Sequence, residues 1–236
     1  MTVLITGARG KVGRAVIARL HSAGLTVRAA SADPTELTVP DGVEHVVLLS
    51  SSSVAGPNAE NDPLASHSLK VERALADSDL TCTFLRPDAF AGNAFGWARS
   101  IARGEPVQLA HPDAHIAPIH PEDIADIAVE ALTGDSLTGR TVTLTGAQSL
   151  TFREQLAVLS DAIGRPIRVE HITRAEAEQQ MGAHMPAHMV GSLLDLWEAA
   201  EQGPAAIADT TATLLGRPAR TFRQWAEENS AAFTGH

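Results

Sequence analysis

The sequence predicts an α/β protein built on a parallel, doubly wound sheet, and three observations predict it. The first thirteen residues pass from a strand-like Val3-Leu4-Ile5 through a glycine turn into helical apolar spacing at Val12, Val16, Ile17 and Leu20. Apolar runs from Leu25 to Ala30, Glu44 to Leu49, Leu80 to Leu85 and Arg140 to Thr145 then mix with helix-period segments, the pattern of parallel strands with helical connections. The chain has 236 residues, enough for one full α/β core and a small cap.

The elements follow in order. In the turn Thr6-Gly7-Ala8-Arg9-Gly10-Lys11-Val12-Gly13, glycine is needed at 7 for tightness and at 10 so that a pyrophosphate can approach the backbone. At 13 it is needed because helix and strand pack closely. The helix that follows offers unpaired N–H groups and a partial positive charge to a phosphate. Gly7, Arg9, Gly10, Lys11, Val12 and Gly13 are therefore the expected cofactor contacts, against the plainer reading of an ordinary strand-to-helix turn.

Only residues 31–43, carrying Asp33-Pro34, Pro40 and Asp41-Gly42, separate the second strand from the third. A strand-helix-strand unit takes about 30 residues or more, so no crossover helix of ordinary length fits. An extended link of this size still reaches back along a strand of roughly 17–20 Å, so the parallel sheet survives with one connection reduced to a loop. Ala65 to Asp77 reads as a helix with Leu69, Ala74 and Leu75 on one face, and the strand Leu80 to Leu85 is ended by Arg86-Pro87. Ala91 to Arg103 is a predicted helix, followed by a loop rich in His and Pro up to Ile119. Pro121 suits a first helical position, with Glu122 and Asp123 in the first turn of a helix to Leu132. Thr151 with Glu154, Thr173 with Glu176 and Thr221 with Gln224 have the spacing of capping boxes.

Composition narrows the function. Net charge is −10 with no basic run, which argues against nucleic acid as a partner. The single Cys82 excludes an internal disulfide, and no early segment reads as a leader or a membrane anchor, so a cytoplasmic location is expected. The chain has no tyrosine, which excludes any mechanism that uses a phenol as its acid.

The residues then carry a resemblance. Gly7-Ala8-Arg9-Gly10-Lys11-Val12-Gly13, Val46-Val47-Leu48-Leu49-Ser50-Ser51, Leu85-Arg86-Pro87 with Phe90 and Asn93, Asp123-Ile124-Ala125, Leu144-Thr145-Gly146 before Thr151-Phe152, and Gly216-Arg217-Pro218 occur in that order. In this the chain resembles the NmrA-like branch of the atypical short-chain dehydrogenases, almost end to end. The resemblance implies an NAD(P)H-binding Rossmann domain, residues 1–146, and a small helical C-terminal cap over the substrate, residues 147–236. It also implies two whole βα units between the second strand and Val46, which are absent here, and whose strand ends help wall in the adenine half of a cofactor. Typical short-chain dehydrogenases use a Ser-Tyr-Lys set with the lysine four residues after the tyrosine; Lys70 fits the lysine, and Ser66 stands where the phenol would be.

Candidate site residues follow. Lys70 can position a nicotinamide ribose or a substrate oxygen and stabilise developing negative charge, against the alternative of a solvated helix lysine. Ser51 and Ser52 lie at the carboxyl end of a strand, where open α/β sheets hold ligands, although four consecutive serines also cap loops. Asn93, after Phe90, is a donor for a substrate carbonyl or an ordinary polar residue at a helix start. His120, just before Pro121, is a proton donor that works near pH 7.

His184 and His188, four apart, fall on one helical face in this reading. Met185-Pro186-Ala187 between them supplies no carboxylate, so with Met181, Met185 and Met189 they read as an apolar substrate wall rather than a metal site. Arg9 and Arg28 can pair with a 2′-phosphate, and no acid ends the second strand at Ala29-Ala30-Ser31. That favours NADPH over NADH, with Asp33 as counter-evidence.

The expected function is an NADPH-dependent reductase that passes hydride to an apolar quinone, enone, imine or ketone, through Lys70, Ser51, Ser52 and His120, with Phe90, Asn93, Met185 and His188 at the substrate. Two alternatives stand beside it. One is a cofactor-free cyclase, isomerase or dehydratase, favoured by the shortened nucleotide half. The other is a non-catalytic NADP(H) sensor that passes its signal to a protein partner, and a homodimer is left open in every reading.

Overall fold

The computed structural model describes residues 1–30 and 42–235. Strand β1, Thr2–Thr6, leads through the glycine turn into helix α1, Lys11–Ser22, and returns as β2, Thr26–Ala30. The β1–β2 pair is parallel, Val3 opposite Val27. Next come β3, His45–Leu49, helix α2, Ser66–Ala76, and β4, Thr81–Pro87. The expected strand end at Arg86-Pro87 falls where the ladder stops. Pro87 is opposite Leu144, and the next amide, of Asp88, donates to the Leu144 carbonyl at 2.9 Å. Proline brings no N–H, so it is tolerated only at such an end.

The predicted helix 91–103 divides into a tight helical turn, Ala91–Trp97, and helix α3, Ala98–Arg103. Gly92 and Gly96 lie in the tight turn, and glycine is a poor residue for the interior of a regular helix. The His/Pro-rich stretch holds two short strands, β5, Val107–Leu109, and β6, His115–Ile116. Helix α4, Pro121–Thr133, precedes β7, Thr141–Leu144; β8, Leu150–Thr151; α5, Phe152–Ile163; and β9, Val169–His171. Helices α6, Arg174–Gly182, α7, Ala187–Ala199, α8, Thr210–Leu215, and α9, Phe222–Glu228, complete the chain. All three capping boxes form, at the starts of α5, α6 and α9.

The parallel sheet is in two pieces. The β1–β2 pair stands beside the parallel trio β3-β4-β7, and among the described residues no ladder joins β1 to β3. The segment 31–41, with Ser31 and Asp33, lies outside the described residues. What unites the pieces is a common apolar core: Val3, Val16 and Leu20 from the first unit pack with Leu85, Ile124, Ile127 and Leu144 from the second. A second core joins Ala91, Ile101, Phe152, Leu156, Phe222, Trp225 and Phe233, so the C-terminal helices pack on the segment that follows β4. No helix among the described residues is long and apolar enough to cross a membrane.

Helix α4 is also tied by charge to both the first and the last third of the chain. Asp123, fully buried on α4, accepts from Arg217 at 2.8 Å and from Arg220 at 2.5 Å through the side chains, and from the Arg220 amide at 2.7 Å. Asp126, one turn on, takes Arg19 of α1 at 2.6 Å. The motif fragments Asp123-Ile124-Ala125 and Gly216-Arg217-Pro218, far apart in sequence, thus meet face to face.

Candidate functional site

The glycine turn has the shape its sequence demands. Gly7 takes φ +69°, the left-handed region open to glycine, and its carbonyl accepts from the Gly10 amide at 2.9 Å. A Cβ at Gly13 would overlap the Gly7 carbonyl oxygen and sit 3.1 Å from its carbon. A Cβ at Gly10 would sit 3.3 Å from the same oxygen, a close contact that a small shift relieves. No side chain caps α1 at Gly10, so the first N–H groups of the helix are open to an anion. The turn therefore fits a pyrophosphate. Arg9 and Arg28 are exposed. The Lys11 ammonium lies over the Phe95 ring, 3.4 Å from its centroid, where burial and neighbouring Arg14 lower its pKa.

Beside the turn, a cavity of about 440 Å³ is lined by Lys11, Arg14, His120, Trp225, Glu228 and Asn229, among others. His120 is buried at 2% exposure and caps α4: its Nδ1 accepts from the Glu122 amide at 3.1 Å, while Nε2 faces the Glu228 carboxylate at 3.1 Å. An accepting Nδ1 fixes the proton on Nε2. Burial lowers the His120 pKa, and Glu228 only partly offsets it. His120 thus begins as a neutral imidazole engaged at both nitrogens. Because the folded pKa lies below the ordinary 6.5, stability is fully present above pH 6.5 and is lost as pH falls through the folded pKa. His120→Asn keeps a capping acceptor and is expected to flatten that acid-side loss in thermal melts between pH 5 and 8. Equal slopes for variant and parent would show that the histidine carries none of it.

The second set of groups collects where β3 and β4 end. The Ser50 amide continues the ladder to the Leu85 carbonyl at 2.8 Å, and the chain then turns through Ser51 and Ser52 into a helical turn, Ser52–Ala55. Ser51 is spent on that turn, its hydroxyl 2.8 Å from Ser53 Oγ and accepting from the Ser53 amide at 3.3 Å. Ser52 donates to Asp88 Oδ1 at 3.3 Å. Ser50 donates to Glu72 Oε1 at 2.5 Å, and Arg86 holds both oxygens of the same carboxylate at 3.0 and 2.5 Å. Burial pushes the Glu72 carboxyl up, but Arg86 and Ser50 hold it below the ordinary range. Lys70 lies two residues before Glu72 on α2 and is exposed.

Other sequence candidates are spread further. Phe90 bridges to Ile119 and packs on the Leu85–Ile119 core, whereas Asn93 is exposed. Met181 and Met185 pack on Ala110, Ile172 and Leu194. His184 and His188 are exposed and do not share a helix: His184 sits in the turn after α6, and Pro186 precedes the start of α7. Among the described residues, no group of three or more His, Cys, Asp or Glu is placed to hold a metal ion.

Sequence reasoning passed over Asp88, Glu72 and Glu228. For Asp88 the signal was present, an acid directly after Leu85-Arg86-Pro87 at a strand's carboxyl end. Glu72 and Glu228 take their meaning from partners distant in sequence.

Comparison with known proteins agrees with this architecture. No protein-family model matches the chain. A Streptomyces griseus protein, "(4-alkanoyl-5-oxo-2,5-dihydrofuran-3-yl)methyl phosphate reductase", is 34% identical over 282 aligned positions, covering 98% of this chain and 99% of the relative. That alignment is longer than the 236-residue chain, so the relative carries residues that face a gap here. An NAD(P)H azoreductase of Xenophilus azovorans is 33% identical over 69% of this chain and 57% of its own length.

Among solved structures, the NADPH-dependent quinone oxidoreductase of Escherichia coli complexed with NADPH superposes with a TM-score of 0.72 at 22% identity, over 97% of this chain and 99% of that one. With the glycine turn, the parallel strands and a relative at this identity over its whole length, the chain belongs to the NAD(P)-binding atypical short-chain dehydrogenase/reductase family, in its NmrA-like epimerase-reductase branch.

Proposed function

We propose that this protein is an NADPH-dependent reductase of an apolar small molecule, working without a tyrosine. The observation that carries the reading is the Gly7–Gly13 turn. It combines a left-handed glycine and a helix start with no side-chain cap, with Arg9 in the turn and Arg28 on β2 both exposed. Backbone N–H groups of Lys11, Val12 and Gly13 would receive the pyrophosphate, and Arg9 and Arg28 the 2′-phosphate. Bound there, NADPH supplies a hydride. In this reading residues 1–146 hold the cofactor and 147–236 close over the substrate.

The chain's own groups orient the acceptor. Ser52, at the carboxyl end of β3, offers a hydroxyl; Lys70 on α2 adds positive charge as negative charge grows on the acceptor. Ser51, His120, Phe90, Asn93, Met185 and His188 stand in secondary places, His120 because both its nitrogens are engaged. Of the acceptors considered, a conjugated enone has most support. The compound in the Streptomyces relative's name carries a ring double bond conjugated to carbonyl groups.

Fluorescence titration of the purified protein tests the reading. NADPH is expected to bind at least tenfold more tightly than NADH, since one charge-assisted contact to a phosphate is worth about 1.5–3 kcal/mol. Equal affinities would remove the arginine assignment. Binding of neither nucleotide would leave the cofactor-free alternative, which the two-piece sheet favours.

A further inference from the structure

With no phenol in the chain and His120 engaged at both nitrogens, the reaction lacks an evident acid, and one half-buried carboxyl has no other task. Asp88 immediately follows β4, a central strand, and sits half-buried where the sheet's carboxyl edge meets Ser52. Its Oδ1 accepts from the Ser52 hydroxyl at 3.3 Å, and the amides of Ala89 and Ala117 lie where they favour the carboxylate.

Apart from Lys70 on α2, which is exposed, the charged groups on the neighbouring elements are paired with one another. Arg86 on β4 is held by Glu72 of α2, His120 pairs with Glu228, and Asp123 at the start of α4 pairs with Arg217 and Arg220. Neither the turn Ser52–Ala55 nor β7 carries a titratable side chain. Among the described residues no cation pairs with Asp88, so a half-buried carboxylate is left with neutral donors only. Such a group is shifted toward its protonated form relative to a carboxyl in water.

We propose that Asp88 is the acid that delivers a proton, through the Ser52 hydroxyl, to the acceptor reduced at the carboxyl ends of β3 and β4. The inference rests on the reductase reading. With the carboxyl protonated, the hydrogen bond between the two residues reverses: Asp88 donates to Ser52 Oγ, and the serine hydrogen turns to the acceptor. The acceptor gains two electrons and a hydrogen at carbon from the dihydronicotinamide and a proton at its carbonyl oxygen from Ser52. Ser52 takes the Asp88 proton in the same step, and the carboxylate left behind is reprotonated from solvent. Burial pushes the Asp88 carboxyl above its ordinary 3.8, against the downward pull of the Ser52 hydroxyl and the neighbouring amides.

Two measurements on the whole protein test this, one of them independent of turnover. A folded pKa raised above the unfolded value gives stability that is present below the unfolded pKa and is lost as pH rises through the folded pKa. Melting temperature of the unliganded parent is expected to show that loss, and Asp88→Asn to lack it.

In turnover with a ketone or enone acceptor, Asp88→Asn is expected to lower kcat by about 10²–10⁴-fold, the usual worth of a positioned acid. Its NADPH titration and substrate KM should stay within about twofold of the parent. Ser52→Ala, which leaves the carboxyl in place, is expected to lower kcat and keep the pH dependence of melting. A parent that reduces the acceptor while Asp88→Asn does so equally well overturns the inference and leaves the reductase reading intact. So does a parent whose melting has no component that Asp88→Asn removes. A parent that binds no NADPH overturns both.

Discussion

Gly13→Val is expected to abolish NADPH binding and destabilise the fold together, while Gly10→Val abolishes binding in a protein that still folds. The two glycines do different physical work. At Gly13 an added side chain meets the Gly7 carbonyl from the first atom, and backbone cannot move aside without separating α1 from β1. Overpacking of this kind costs typically about 1–3 kcal/mol. At Gly10 the backbone is extended, φ −70° and ψ 161°, which any residue adopts, and the nearest atom to a Cβ is 3.3 Å away. Valine is accommodated there, but its methyl groups occupy the space above the helix start.

Each charge-assisted contact to phosphate that is lost costs about 1.5–3 kcal/mol, or roughly tenfold or more in affinity. Urea unfolding and nucleotide titration on the two variants separate these effects. Activity that survives Gly10→Val would mean that no pyrophosphate needs the turn, and would move the protein to the cofactor-free alternative.

Asp123→Ala is expected to be the most damaging single change away from the turn. The carboxylate is fully buried and receives three donors, two of them guanidiniums that tie the segment after α8 to α4. Removing one partner of a buried pair costs about 3–5 kcal/mol, because the remaining charge is stranded. Arg217 and Arg220 keep 34% and 28% of their side chains exposed and retain Asp126, so the lower end applies, about 3 kcal/mol. For a chain of this length that is a fall of roughly 6–12 °C in melting temperature. Calorimetry checks it. A loss under about 1 kcal/mol would place the pair in the class of weak surface bridges.

Both predictions show what is local and what is not. The glycine turn was legible because its demands act within seven residues: a left-handed carbonyl at 7, an open approach at 10 and a close crossing at 13 each select glycine directly. The three capping boxes were legible for the same reason, since a threonine and an acid or amide three residues on satisfy each other's backbone. The absent tyrosine was a plain count, and the short 31–43 link followed from chain length alone.

By itself, then, the sequence determined the α/β class, the short link after the second strand, the glycine turn and the absence of a phenolic acid. Tertiary structure decided which polar groups are free to act. Nothing near His120 in the chain announces Glu228, 108 residues away, and nothing near Ser52 announces Asp88, 36 residues away. The physical reason is that a side chain's protonation state and usefulness depend on desolvation and on partners brought in by packing. Those partners come from other strands and helices, which the local pattern of apolar and polar residues places in the core without stating whom they meet.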